Sequence, residues 1–335
     1  MFRLPRVGIV IAMFLSACGG GGGGGSTSTT PANLAYTGST TPATITVANG
    51  SALASNVLGG ASSTNIMTGA SVSPASRNNI SAYILELAKA ARNAPAQAST
   101  SGIPATGAVV SIPATTVPGT SGGTLTMSGQ VDNTTMSGSM TLVFSSYSNG
   151  VMRMSGTLDM AFSAWDAANA VPLTSTITFS NIQVTDISSN ITDRMDGSFL
   201  MQINVAANTE TITVNAIMEQ SPAGPQSKLQ NFVMTNTYDS ILFPTSVSEV
   251  ISGRVFDSLQ GYVDITTPTP MVITNLNTDL FPTSGVVLLT GANGALGGAT
   301  KARLTAILNQ QVQLDIDVDG DNIYDNATQY LWANL

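Results

Sequence analysis

From Ile103 to the end of this 335-residue chain, apolar and polar residues alternate with a period of two. Clusters of Gly, Asn, Ser, Asp and Thr break the alternation at fairly even intervals. A period of two sends successive side chains to opposite faces of a strand, so one face is built for burial and the other for water. Short links between such strands favour antiparallel pairing. The expected strands are Thr124–Val131, Ser137–Tyr147, Val151–Ala164, Thr174–Val184, Asp196–Ala206, Thr211–Gln220, Lys228–Asp239, Val247–Asp257, Gly261–Thr266, Gly285–Gly291, Thr300–Leu308, Gln311–Val318 and Ile323–Trp332. Asn293-Gly294 marks a hairpin between two of them. Pro104, Pro113 and Pro118 give the stretch ahead of Thr124 the character of a loop-like lead-in.

A short motif recurs within the strands, as Met136-Ser137-Gly138-Ser139-Met140, Met154-Ser155-Gly156-Thr157-Leu158, Met195-Asp196-Gly197-Ser198-Phe199 and Ile251-Ser252-Gly253-Arg254-Val255. Each glycine shares the parity of the apolar residues around it. Glycine on the inner face of a strand marks a bend or the close approach of another group. Repeated on successive strands, it predicts a mainly β fold: one large curved antiparallel sheet or an open barrel. The alternative purpose of such glycines is room for an apolar ligand inside the curve.

Ahead of the strands, Ile80, Tyr83, Ile84, Leu87, Ala88 and Ala91 fall on one face at helical spacing, and predict one N-terminal amphipathic helix over 77–93. Ser76 suits its start, and Asn93 with Pro95 its end. Ala43–Val47 and Leu53–Leu58 carry weak strand signals, and Ser51–Gly69 reads as irregular.

At the extreme N-terminus, Arg3 and Arg6 precede a short apolar run, Val7–Leu15, too short to span a bilayer as a helix. Leu15-Ser16-Ala17-Cys18 follows, then seven glycines, Gly19–Gly25; Cys18 is the chain's one cysteine. The stretch resembles the lipobox of bacterial lipoproteins. That resemblance implies cleavage before Cys18, acylation of Cys18, and Gly19 rather than Asp after it, which directs the product to the outer membrane. Several acyl chains anchor stably where one is marginal. A Gly/Ser/Thr-rich linker of this length spans about 20 Å as a flexible coil. The expected organisation is therefore 1–17 signal peptide, 18–33 linker, 34–100 N-terminal segment with the helix, and 101–335 antiparallel β domain.

Composition removes several chemistries. The chain contains no histidine, so Ser-His-Asp, Cys-His and His-ligated metal centres are excluded. With a single cysteine there is no intrachain disulfide. Net charge is −8 with only 9% charged residues, which argues against nucleic acid as a partner. Aromatic residues, at 6%, are too few for the two girdles of a transmembrane barrel. Catalysis would have to rest on carboxylates, tyrosine or lysine; Asp257 and Asp264 are the candidates for carbohydrate chemistry.

The most heavily charged stretch is Asp315-Ile316-Asp317-Val318-Asp319-Gly320-Asp321-Asn322-Ile323-Tyr324-Asp325. Carboxylates at this density repel one another unless solvated or neutralised by a cation. Asp317, Asp319 and Asp321 match positions 1, 3 and 5 of a calcium loop, with Asn322 at its turn position. Position 12, however, is Thr328 rather than a bidentate Glu. Asp315, Asp317, Asp319, Asp321 and Asp325 are thus the candidate ligands for calcium, with a solvated Asp-Gly turn as the competing account.

A second resemblance rests on Gly261-Tyr262-Val263-Asp264-Ile265-Thr266-Thr267-Pro268, Pro282-Thr283-Ser284-Gly285, Gly291-Ala292-Asn293-Gly294 and Asp317-Val318-Asp319-Gly320-Asp321 with Trp332. Together these are similar to a group of β-rich lipoproteins of Gram-negative bacteria that has no assigned activity. The resemblance implies fold and location but no mechanism. The expected function is a lipid-anchored, non-enzymatic binding or structural module of the cell envelope. The alternatives are an apolar-ligand carrier with a cavity in the sheet, or a carbohydrate-binding or carbohydrate-active protein.

Overall fold

The computed structural model describes residues 33–58, 109–132, 134–135, 137–166, 171–220, 223–241, 243–276, 278–279, 281–308 and 310–335, together with Ile80, Tyr83, Ile84, Leu87, Ala88, Ala90 and Ala91. Residues 1–32, which hold the expected signal peptide, Cys18 and most of the expected linker, lie outside them.

Among the described residues, fourteen strands follow one another in chain order and pair with their neighbours, as one open, unclosed antiparallel sheet. They are β1 (Val109–Pro118), β2 (Thr124–Asp132), β3 (Ser137–Ser148), β4 (Met152–Asp166), β5 (Val171–Asp186), β6 (Ile191–Asn204), β7 (Thr209–Gln220), β8 (Gln226–Tyr238), β9 (Val247–Asp257), β10 (Gly261–Ile273), β11 (Ser284–Asn293), β12 (Ala299–Ile307), β13 (Gln311–Asp317) and β14 (Asn326–Leu331). The fold is mainly β, as the alternation requires.

At about 4.8 Å per strand, fourteen flat strands would span about 60 Å. Yet most inward apolar residues from β2 to β13 form one continuous cluster, which also takes in Leu53, Ala54 and Val57 and the helical residues Ile80, Tyr83, Ile84, Leu87, Ala88 and Ala91, with a smaller cluster of Ile203, Tyr238, Ile241, Val247, Ile273 and Leu276 beside it. A sheet this wide shares one core only if it curls around that core. Bulges and glycines supply the curl. At Gly156 φ is +127°, inside the β4–β5 register shift between Ser155 and Thr157, and the neighbouring strand answers with Asn181 at +55°. At Gly253 φ is +126°, facing Asn231 at +47° inside the shift between Gln230 and Val233. An extra residue on one strand, opposite a residue that tolerates positive φ, bends the pair and increases its twist. The space beside these glycines is taken: a Cβ on Gly138 would meet Phe162 Cζ at 2.6 Å, and one on Gly253 would meet Phe232 Cα at 2.6 Å.

Several stretches differ from the sequence expectation, and Ala43–Val47, given a weak strand signal, forms no strand. β1, expected as a loop, is a strand. It is the sheet's outer edge, where a proline needs no ladder partner, and Pro113 falls in a register shift between Ile112 and Thr115. β10 runs through Pro268 and Pro270 to Ile273 instead of stopping at Thr266. The ladder breaks around the prolines, and Thr267 Oγ1 takes the place of the missing bonds by accepting from Ile251 N at 2.8 Å and donating to Ile251 O at 2.7 Å. Leu53–Leu58, expected as a strand within an irregular stretch, belongs to helix α1 (Gly50–Leu58). A short apolar run carries too few turns for its period to decide. Asn49 settles it, accepting from Thr46 N and Thr46 Oγ1 while Gly50 N–H bonds Thr46 O. The expected helix over 77–93 is seen at its apolar positions, which are helical and buried.

Residues 33–45 form a strap that begins on the outer face at β5 and β6, follows the strand ends toward β12, and turns inward so that Ala43 and Ile45 join the core. Leu34 N–H donates to Asp196 Oδ2. Thr37 N–H donates to Gln226 Oε1 at 2.8 Å, Ser39 N–H to Ser258 O at 3.0 Å and Ala43 N–H to Tyr262 O at 2.8 Å. Ala43 O accepts from Ala292 N at 2.7 Å, and Ile45 N–H donates to Thr300 Oγ1 at 3.0 Å. Asn33, expected in the linker, is part of this strap, accepting from Ser180 Oγ at 3.1 Å. Beneath the strap, Tyr36 packs edge-on to Phe256, Lys228 Nζ lies 4.9 Å from the Phe256 ring centre, and Phe256 packs on Tyr262.

Candidate metal centre at the last turn

The acidic stretch spans the end of β13 and its turn into β14. Antiparallel pairing with β12 sets Asp315 opposite Arg303 and Asp317 opposite Lys301. The alternation sends both aspartates to the outer face, because Val312, Leu314 and Ile316 take the core. Asp315 is 2% exposed and belongs to an ion pair: Oδ2 accepts from Arg303 Nε at 3.0 Å and Nη2 at 2.9 Å, and Oδ1 from Gln313 Nε2 at 2.7 Å. The Arg303 guanidinium also lies 4.1 Å from the centre of the Tyr324 ring. Asp315 therefore does not join the candidate ligands. Its carboxylate is matched in charge and geometry by arginine.

Asp317 is fully buried under the turn and organises it, accepting Gly320 N–H at 2.7 Å and Asn322 N–H at 3.0 Å. Asn322 has φ of +70°, the left-handed conformation that the sixth position of a calcium loop demands. Asp325 folds back to accept Val318 N–H at 2.9 Å, and its own N–H reaches Ile316 O at 2.8 Å. One oxygen each from Asp317, Asp319 and Asp325 then lies within 4.8 Å of the others. Asp321 stands apart, exposed, accepting Ile323 N–H at 2.6 Å. At position 12, Thr328 bonds Asn326 Oδ1 at 3.2 Å within β14. Of the five expected ligands, the fold thus brings together the first, third and ninth loop positions.

The electrostatics follow from this crowding. The Asp319 carboxyl is held above its ordinary range, first by partial withdrawal from water and then by the charges of Asp321, Asp325 and Asp317. Three clustered carboxylate oxygens offer hard donors suited to a divalent cation of the calcium type, whose remaining ligands would be carbonyls or water. Sequence reasoning missed the turn's neighbours. Lys301 Nζ donates to Asn322 Oδ1, and Leu296 N–H in the preceding hairpin turn donates to Asp319 O at 2.9 Å. Counting back from the β12–β13 turn pairs Lys301 and Arg303 with Asp317 and Asp315, so that signal was present.

The two aspartates considered for carbohydrate chemistry are engaged elsewhere. Asp257 accepts Leu259 N–H and Gln260 N–H, each at 2.9 Å, and Asn56 Nδ2 at 3.2 Å. Asp264 takes Arg254 through two bonds, at 2.7 and 2.9 Å. A separate cleft of about 370 Å³ lies where the strap begins, lined by Leu34, Phe179, Asp196, Asn215 and Lys228 among others. No helix among the described residues is long and apolar enough to cross a membrane. Compared with known protein families, curated proteins and solved structures, the chain matches none.

Proposed function

We propose that this chain is a lipid-anchored protein of the bacterial outer membrane, held through acylated Cys18 and acting as a non-catalytic binding or structural module. The observation that carries the reading is Leu15-Ser16-Ala17-Cys18 followed by the glycine-rich stretch, the chain's one cysteine standing where an anchor would be attached. The described fold supports it. Asp257, Asp264 and Asp315 are each committed to backbone, amide or guanidinium donors, as structural carboxylates are. The inner face is packed with side chains from the sheet and two helices, which favours a structural core over an apolar-ligand carrier. The carbohydrate-binding reading keeps one observation in its favour, the cleft with polar Asp196, Asn215 and Lys228 beside apolar Leu34 and Phe179. Membrane fractionation of cells expressing Cys18→Ser tests the anchor. The variant is expected in the soluble fraction, and one that stays wholly with membranes would sink the reading.

A further inference from the structure

In an antiparallel meander, every turn that follows an odd-numbered strand lies at the same end of the sheet. Turns of this kind normally carry polar residues and glycine. Here three consecutive turns at that end present large apolar side chains to solvent. Leu259 in the β9–β10 turn is 82% exposed, Leu296 in the β11–β12 turn 66%, and Ile323 in the β13–β14 turn 68%. Ile187 in the β5–β6 turn, at 40%, belongs to the same end. Val47, at 54%, follows the strap beside it. Successive turns at one end are two strands apart, so the three tips stand roughly 10 Å from one another along the rim.

The tips are also held firmly. Leu296 N–H is bonded to Asp319 O, and Gly294 and Gly298 pack against Asp319 and Gly320 so closely that a Cβ on either would come within 2.4 Å of that backbone. None of the turns at this end itself contains a lysine or arginine; Lys301 of β12 reaches Asn322 in the last turn, where it meets the excess of carboxylates that includes Asp319 and Asp321, which flank Leu296 and Ile323. Anionic headgroups would be repelled by such a rim, and a surface of little net charge suits it. The strap enters the fold at Asn33 and runs along the strand ends on this side, at Gln226, Ser258, Tyr262, Ala292 and Thr300. The linker ahead of it has, by composition, a reach of about 20 Å from Cys18.

We infer that this end of the sheet is a lipid-docking rim, with Leu259, Leu296 and Ile323 seating in the interfacial layer of a zwitterionic phospholipid surface. Interfacial elements of this kind bury their apolar side chains at the boundary of headgroups and acyl chains while polar backbone stays hydrated. For its orientation the inference rests on the anchor reading, since a tether on the strap's side delivers this end to the bilayer.

The test couples the full chain to phosphatidylcholine vesicles through the Cys18 thiol, so that tethering does not depend on acylation in the cell. Hydrogen exchange is then compared for coupled and uncoupled chain. Coupling is expected to slow exchange severalfold in the turns holding Leu259, Leu296 and Ile323, and to leave those holding Phe243 and Leu308, exposed apolar residues at the opposite end, unchanged. The combined variant Leu259→Ser, Leu296→Ser and Ile323→Ser should melt as the parent does and lose the protection. Absence of slowing, or equal slowing at Phe243 and Leu308, would overturn the inference. Slowing that appears without vesicles and grows with protein concentration would overturn it in favour of a second copy as the occupant. Failure of the anchor reading shows separately, in the fractionation of Cys18→Ser.

Discussion

Asp193 is the side chain whose titration should be felt most directly by the fold. It sits on β6, 1% exposed, and accepts a 3.1 Å hydrogen bond from Tyr83 of the second helix. Burial pushes its pKa from 3.8 up to about 6; the Tyr83 hydroxyl pulls it down, and the nearby Asp186 charge adds to the rise. Because the folded-state value lies above the unfolded one, Asp193 contributes stability that is fully present below the unfolded pKa and is lost as pH rises through about 6. A shift of roughly two units corresponds to about 3 kcal/mol between those limits. Asp193→Asn keeps an oxygen for Tyr83 and removes the charge. Its unfolding free energy relative to the parent should therefore climb by up to about 3 kcal/mol between mildly acid and neutral pH. Urea titrations of both proteins across that range, followed by far-ultraviolet circular dichroism in a Cys18→Ser background, measure the difference directly. Other carboxylates are common to both proteins and cancel. Asp239, for one, titrates below the window, held at about 2 by Thr245 and by the Ser246 amide. A difference that stays flat with pH, or that grows toward acid, refutes the reasoning.

Two further outcomes are expected. Gly156→Val and Gly138→Val should each lower the melting temperature, because a branched side chain overpacks by typically about 1–3 kcal/mol; Gly156 adds strain at φ of +127°, and Gly138 meets the Phe162 ring. No change in either would place these glycines outside the curved inner face. If the last turn takes calcium, millimolar calcium should raise the melting temperature above sodium chloride of equal ionic strength, with affinity in the ~10⁻⁴–10⁻³ M class expected of an incomplete loop. Asp319→Asn should abolish that increment, and equal responses to both salts would leave the Asp-Gly turn as the sufficient account.

Where a strand has one wet face and one dry face, period two is written in the residues, and β2 to β13 could be read with most ends within a few positions. β1 was illegible for a physical reason. Its inner face is only half-buried, at Ile112 and Val117, and a bulge at Pro113 breaks the alternation, while as an edge it tolerates the prolines that elsewhere forbid a strand. α1 was misread because Leu53, Ala54 and Val57 touch the core through barely two turns of helix. At the last turn, composition exposed the charge but not its partition. Asp315 and Asp317 are two residues apart and share a face, yet one faces Arg303 and the other the turn's own amides, a distinction set by pairing with β12.

The strap imposes an order on assembly. Each hairpin of the meander joins neighbours in sequence and can close as soon as it is made, in keeping with the speed of local contacts. The strap is different: Ile45 and Thr300 are separated by 255 positions. During synthesis or export the strap emerges first, but the groups that receive it on β10, β11 and β12 are among the last to appear. Its first residues can dock once β5 to β8 exist, but the stretch from Ser39 to Ile45 must wait unpaired until β9 to β12 have been made. A nascent chain halted after Tyr238 would hold a formed set of early hairpins under a strap with no place to go beyond Gln226. Completion of the native state is thereby reserved for chains that have been made through β12.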